Sequence, residues 1–309
     1  MSGNRSPLPW TGNKACISDS LLAFMPQHDR YIEPFCGSAE FLLTKPRSKE
    51  EYINDYNGDI ANFFRVIQNN DALVEFIGKM LVAPNSEQLF AERKIRLLES
   101  FIPTEIVTPE DRILEVSNEE VTRAVEFFLN QFYSFSSTGG SFGIANRSPI
   151  NKLGKILYAS NRLQGVCILN RDYKKVILEQ SKINTFIFAD PPYFTTTDMY
   201  QHSNFEESET AVLFETLGKV DEKFFGSCKF LMTNTNHPFV TELANKYGWN
   251  MRVIQRLHNM VQSRKPGAQF EELLIANYDL EAQAISNNRY VFENGKQLTI
   301  YDFINSQED

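Results

Sequence analysis

Thr185-Phe186-Ile187-Phe188-Ala189-Asp190-Pro191-Pro192-Tyr193 decides how this chain is read. Its apolar run between polar residues predicts a short strand buried on both faces, as in a parallel sheet covered by helices. The strand stops at Asp190, and two prolines follow. Proline fixes φ and lacks an N–H, so the chain leaves the sheet in a stiff turn. That turn offers a carboxylate and backbone carbonyls, all acceptors, with the Tyr193 ring behind them. In open α/β sheets, ligands bind just past the carboxyl ends of strands. Such a site suits a planar group that donates hydrogen bonds, for instance the exocyclic amine of a nucleobase. Acceptors that draw the amine hydrogens out of plane restore lone-pair density on nitrogen. They also stabilise the charge that develops as nitrogen takes an alkyl group. Tyr193 is placed to stack on the base, a contact worth ~1–3 kcal/mol. The plainer alternative is a Pro-Pro turn after a core strand, with Asp190 as a cap.

Upstream, Arg30-Tyr31-Ile32-Glu33-Pro34-Phe35-Cys36-Gly37-Ser38-Ala39-Glu40-Phe41-Leu42-Leu43 reads as a strand, a tight glycine turn and a helix start. Gly37 lets the backbone pass close to a ligand, and the helix N-terminus presents free N–H groups. Residues 51–54 form a second strand ending at Asp55, 18 residues after Gly37. An acid at that distance from a glycine turn is where doubly wound folds bind ribose hydroxyls. Asn54-Asp55-Tyr56-Asn57-Gly58-Asp59 is also turn-rich, so Asp55 is equally a turn residue. A helix follows over 60–67. Before all this, Pro-Leu-Pro-Trp-Thr-Gly-Asn-Lys (7–14) is a loop carrying Trp10 and Lys14, and an amphipathic helix is expected over 15–25.

From about 69 to 163 the pattern turns helical, with stretches at 72–81, 87–101 and 119–133. The last carries Val121, Val125, Phe128, Leu129 and Phe132 on one face. A glycine/serine loop over 135–143, expected to be flexible, leads into a basic run. Arg147, Lys152, Lys155, Arg162, Arg171, Lys174 and Lys175 there face the single acid Asp172. The run is either a nucleic-acid surface or a solvated helix face. A strand at 166–169 ends in Asn170-Arg171-Asp172-Tyr173. Later strands are expected at 229–232, 249–257 and 272–278, and helices at 209–219 and 238–247. Ser263-Arg264-Lys265-Pro266-Gly267 forms a basic loop. Beyond 279 the pattern is weak.

The 309 residues are 42% hydrophobic, enough for one large domain or two, and no apolar run approaches the ~20 residues of a membrane span. The first ten residues lack a signal-peptide core. The four cysteines (Cys16, Cys36, Cys167, Cys228) and four histidines are scattered, so a cytoplasmic protein without a metal site is expected. A net charge of −8 counts against nucleic acid as a partner, because duplex affinity rests largely on phosphate neutralisation. Only a local basic surface reconciles the two.

In order along residues 7–280, the Trp10…Lys14 loop, the EPFCGSAEF turn, Asn54-Asp55 and Asp190-Pro191-Pro192-Tyr193 resemble the Dam/D12-class (alpha group) DNA adenine-N6 methyltransferases. Asn57-Gly58-Asp59-Ile60, Phe63-Phe64-Arg65, Ser141-Phe142-Gly143 and Glu272-Leu273-Leu274 add to the likeness. The resemblance implies an α/β fold: a Rossmann-like methyltransferase sheet with an α-rich inserted target-recognition lobe. It divides the chain into a discontinuous catalytic domain (1–68 and 164–280), an inserted DNA-recognition domain (69–163) and a tail (281–309). It implies S-adenosylmethionine as methyl donor, no metal, and double-stranded DNA as partner. Trp10 and Lys14 would close over the cofactor's methionine end, and Phe35 and Gly37 would line its pocket. Asp55 would hold the ribose, and Asp172 with Tyr173 would lie at the adenine. Asp190 would accept from the target amine, Pro191 would offer its carbonyl, and Tyr193 would stack on a base flipped out of the duplex. Ser141, Arg147, Lys152, Arg264 and Lys265 are the candidate DNA contacts. Ala39 departs from the family turn, where many relatives have glycine. Three other readings stay open: RNA adenine as target, a glutamine amide as target (such relatives typically carry Asn in place of Asp190), or a non-catalytic DNA-binding relative. Roles in restriction–modification, in a phage genome or in regulation all fit.

Overall fold

The structure is a computed structural model that describes residues 5–99, 101–108, 110–111, 114–143, 147–194, 205–257 and 269–287, with short strands at 291–293 and 296–298. Seven strands form one sheet: β1 (Arg30–Glu33), β2 (Glu50–Asn54), β3 (Val166–Leu169), β4 (Thr185–Ala189), β5 (Lys229–Thr235), β6 (Asn250–Leu257) and β7 (Gln269–Ala276). Their order is β3-β2-β1-β4-β5-β7-β6. The first five run parallel, and β7 lies antiparallel between β5 and β6. Chain order reverses between β1 and β4, the neighbours at the switch point where doubly wound sheets open a crevice. The Gly37 bend leaves one of these strands and Asp190 leaves the other. Strand β4 is buried at all five positions, as its unbroken apolar run requires.

Helices cover both faces. On one side lie α1 (Ser18–Leu21), α2 (Glu40–Thr44), α3 (Gly58–Gln68), α4 (Asn70–Val82), α5 (Glu87–Leu97), α6 (Asn118–Tyr133) and α7 (Leu153–Leu163). Their apolar residues join Tyr31, Phe186 and Phe188 of the sheet in one continuous core. The other face is covered by α8 (Tyr173–Gln180), α9 (Glu207–Phe224) and α10 (Pro238–Tyr247). The helix starts follow sequence chemistry. Ser117 and Glu120 close a capping box on α6, and Asn57, Asn69 and Asp172 cap α3, α4 and α8. Among the described residues no helix is long and apolar enough to cross a membrane.

Several expectations shift. The helix expected over 15–25 is one α-turn continued by a 3-10 turn at Leu22–Phe24. The one expected to reach 101 stops at Leu97, because Arg123 takes over the terminal carbonyls. Its guanidinium donates to Arg96 O at 2.9 Å and Glu99 O at 2.7 Å while paired with Asp59. The weakly patterned segment after 279 holds α11 (Leu280–Ser286), and Asn287 behind it donates to Ala23 O at 2.8 Å. The loop over 135–143 is tied down rather than loose. Phe135 N–H donates to Ser141 O (2.8 Å), Gly143 N–H to Tyr133 O (2.7 Å), and Lys94 Nζ to Gly140 O (2.7 Å).

Candidate active site

The tips of β1, β2 and β3 are stapled together by two asparagines. Asn54 Nδ2 donates to Pro34 O (2.9 Å) and Arg171 O (3.0 Å), and Arg171 N–H donates back to Asn54 Oδ1 (2.9 Å). Asn170 Nδ2 donates to Asp55 O at 2.8 Å. On this frame Asp55 accepts from the N–H of Gly37 and of Asn57, each at 2.9 Å. The turn reading of Asp55 holds, and the same carboxylate also clamps the glycine bend. Burial pushes its carboxyl up to about 6, against the pull of those two N–H donors.

Gly37 sits at φ +46, and a Cβ there would come within 3.0 Å of Trp10 Nε1. The indole lies directly over the bend, in a cradle that only glycine leaves open. Ala39, two residues on, takes a left-handed φ of 52 at the start of α2. That is a glycine-favouring conformation, so the glycine of many relatives suits the turn and Ala39 holds it under strain. Four residues after Trp10, the Lys14 ammonium reaches both oxygens of Asp190, at 2.6 and 2.7 Å. One loop thus touches the Gly37 bend with Trp10 and the Asp190 turn with Lys14.

Asp190 Oδ1 also accepts from Thr233 Oγ1 at 2.7 Å, and Tyr193 Oη lies 3.4 Å from it. Tyr193 is buried, and its hydroxyl donates to Glu272. Burial, with the charges of Glu272 and Asp190, keeps that phenol protonated far above the usual range. Glu272 Oε1 lies 3.4 Å from Lys14 Nζ. Thr233 and Glu272 were missed in the sequence, as was Glu33. The last accepts from Tyr31 Oη at 2.7 Å, and burial pushes it up to about 8. Each of the three shares its strand with other polar residues, so nothing in the sequence marked it out.

Phe35 packs against Tyr173 (centroids 4.8 Å apart) and, edge-on, Phe205 (5.8 Å). The Tyr173 hydroxyl donates to Glu209 at 2.8 Å. Asp172 caps α8 by accepting from Lys174 N–H at 2.8 Å. Tyr173, expected at the cofactor adenine, and Phe35, expected to line the pocket, form one aromatic wall with Phe205, and Asp172 beside them serves as the α8 cap.

Residues 10–260 match the family of D12 class N6 adenine-specific DNA methyltransferases. The chain belongs to this family. It is 24% identical over 267 residues to a DNA N-6-adenine-methyltransferase of Escherichia phage P1, covering 80% of this chain and 32% of that protein. It is 20% identical over 289 residues to the type II methyltransferase M1.LlaDCHI of Lactococcus lactis subsp. cremoris, covering 87% of this chain and 94% of that one. The chain thus spans about a third of the phage relative and nearly all of the lactococcal one.

For a member of this family, the basic run does not form one face. Arg162 is buried against Glu51 (2.5 Å), Arg171 pairs with Glu105 (2.8 Å), and Lys174 pairs with Glu209 (2.8 Å). What stays together is Arg147, Lys152 and Lys155 around the start of α7. Burial and its two basic neighbours pull Lys152 down to about 8. Ser141 and Arg147 are exposed. Arg264 and Lys265 lie outside the described residues.

Proposed function

We propose that this protein transfers a methyl group from S-adenosylmethionine to the N6 amine of an adenine flipped out of double-stranded DNA. The observation that carries the reading is the loop from Trp10 to Lys14. It covers the glycine bend at one end and binds the Asp190 carboxylate at the other, across the sheet's switch point. A cradle that a Cβ would fill, an acid clamped to it and an aromatic wall fit a nucleoside-bearing cofactor. When bound, that cofactor supplies an activated methyl group. The chain's own residues position and polarise.

Asp190 and the Pro191 carbonyl accept from the two amine hydrogens, which keeps the lone pair on nitrogen aimed at the methyl donor. With the cofactor held by the Gly37 bend and the aromatic wall, the amine nitrogen would take the methyl carbon as the sulfonium leaves as a neutral thioether, and the nitrogen would pass its proton to solvent. Tyr193 bounds the site from behind with its ring. The helical segment over 69–163, with Ser141, Arg147 and Lys152, contacts the duplex, and residues 1–68 and 164–280 carry the chemistry. The test is transfer of labelled methyl to unmethylated DNA, with Asp190→Ala as control. Label on adenine N6, lost in the variant, is expected. Label on cytosine, on RNA only or on protein overturns the assignment.

A further inference from the structure

Residues 5–14 run as a strap from the start of α2, over the Gly37 bend, to Asp190. The strap begins on Glu40, a carboxylate only 3% exposed. Glu40 Oε1 accepts from Arg5 N–H at 2.7 Å, and Oε2 accepts from Ser6 N–H at 2.9 Å. Arg5 Nη1 donates to Thr44 O, at the other end of that helix, at 2.8 Å. Ser6 and Leu8 are fully buried, so the strap leaves Glu40 with its course set. Two residues on, the Trp10 indole lies over Gly37, and Phe127 packs against it with ring centroids 6.2 Å apart.

An acid in the first turn of a helix ordinarily serves that helix's own free N–H groups. Glu40 instead turns both oxygens to the strap. Burial pushes its carboxyl up, against the pull of the two strap N–H donors. A carboxylate buried at that cost stands three residues after Gly37. One turn therefore supplies both the floor of the proposed cofactor cradle and the anchor of its cover.

Building on the methyltransferase reading, we propose that Glu40 is a positioning residue for cofactor binding: it anchors the strap so that Trp10 stays over the Gly37 bend. Two backbone N–H groups on one carboxylate fix the direction of the strap as well as its place. Without the anchor the strap populates positions off the bend, and binding must draw it back at the expense of affinity.

The test compares wild type, Glu40→Ala, Trp10→Ala and the pair Glu40→Ala/Trp10→Ala. S-adenosylmethionine Kd is measured by calorimetry, and single-turnover methylation of unmethylated duplex at saturating cofactor alongside. Amide hydrogen exchange is followed at residues 5–14 and 185–189. Glu40→Ala should weaken binding roughly tenfold, the loss expected when the closed strap falls to about a tenth of the population. Its rate at saturating cofactor should stay within about threefold of wild type. Exchange should quicken over 5–14 and stay slow over 185–189. Trp10→Ala has already lost the cover, so adding Glu40→Ala to it should weaken binding by less than about threefold further. Glu40→Gln, whose one acceptor oxygen faces two donors, should fall between wild type and Glu40→Ala, and it carries the same comparisons should Glu40→Ala not fold. A merely structural role speeds exchange throughout the fold and costs the same affinity with or without Trp10. Unchanged affinity, unchanged exchange over 5–14, or a full tenfold loss repeated on the Trp10→Ala background each overturns the inference. A wild-type chain that transfers methyl while the Glu40 variants bind cofactor normally refutes this inference alone. A wild-type chain that transfers no methyl group refutes the methyltransferase reading itself, and this one with it.

Discussion

Asp55 gives the sharpest quantitative test, because one carboxyl bears on stability and, in the proposed function, on cofactor binding. Burial raises its carboxyl to about 6, above the ordinary aspartate value of 3.8. The protonated form therefore favours the fold. That contribution is complete below about pH 4 and is lost as pH rises through about 6. At 1.36 kcal/mol per pH unit the change is at most about 3 kcal/mol, and for a half-buried group nearer about 2 kcal/mol. Asp55→Asn removes the titration, and its one carbonyl oxygen must serve two N–H donors. The stability advantage of wild type over Asp55→Asn should thus shrink by about 1.3 kcal/mol between pH 4.5 and pH 7.5, read by urea unfolding at each pH. Cofactor affinity should move the other way. The ionised carboxylate accepts ribose hydroxyls better, so wild-type affinity should rise across the same window while Asp55→Asn stays flat. Stability curves that run parallel at all pH values would refute the buried-carboxyl argument. A pH-independent wild-type affinity would refute the ribose role.

Gly37→Ala should cost ~1–2 kcal/mol for a left-handed alanine, and its Cβ must displace the Trp10 ring. The thermal midpoint should fall by a few degrees and cofactor affinity roughly tenfold or more; calorimetry showing unchanged affinity would remove the bend from the binding site. Gly58→Ala is different in kind, because its Cβ would meet Phe101 O at 1.8 Å, and backbone cannot swing aside. Overpacking at the top of the ~1–3 kcal/mol range should lower the thermal midpoint by several degrees, and an unchanged midpoint would show that the 101–103 segment does not sit on α3.

What could be read in the sequence was whatever local punctuation fixes. The strand read over 186–189 and the helix read over 238–247 fall where apolar runs meet proline or a polar stop, and the structure has the first one residue longer and the second at the same residues. Strand order was not local. That β1 lies beside β4 follows from packing, and only that adjacency makes the Gly37 bend and the Asp190 turn one place. The basic run was misjudged for the same reason: Glu51, Glu105 and Glu209, which pair with it, come from distant parts of the chain. The 135–143 loop has flexible composition, yet Thr11 and Lys94 from other segments bond its carbonyls. Glu272 was invisible as a site residue because its strand's reversed direction, which carries it to the active edge, is a property of the sheet.

Two buried charge clusters in this fold show why the one at Asp190 is read as functional. Lys45 and Arg162 enclose Glu51 near the start of β2, at 2.6 Å and 2.5 Å. Burial pushes Glu51 up, but those two cations hold it below the ordinary carboxylate range. That acid is outnumbered by cations and sits at the amino edge of the sheet. It binds α7 to β2, and the arrangement reads as structural. Lys14, Asp190 and Glu272 lie instead at the carboxyl edge, beside the Gly37 bend. Burying ionised groups costs desolvation, and well-packed apolar residues would serve the fold better. At the edge where open α/β sheets bind their ligands, polar groups held at that cost point to a site rather than to a brace.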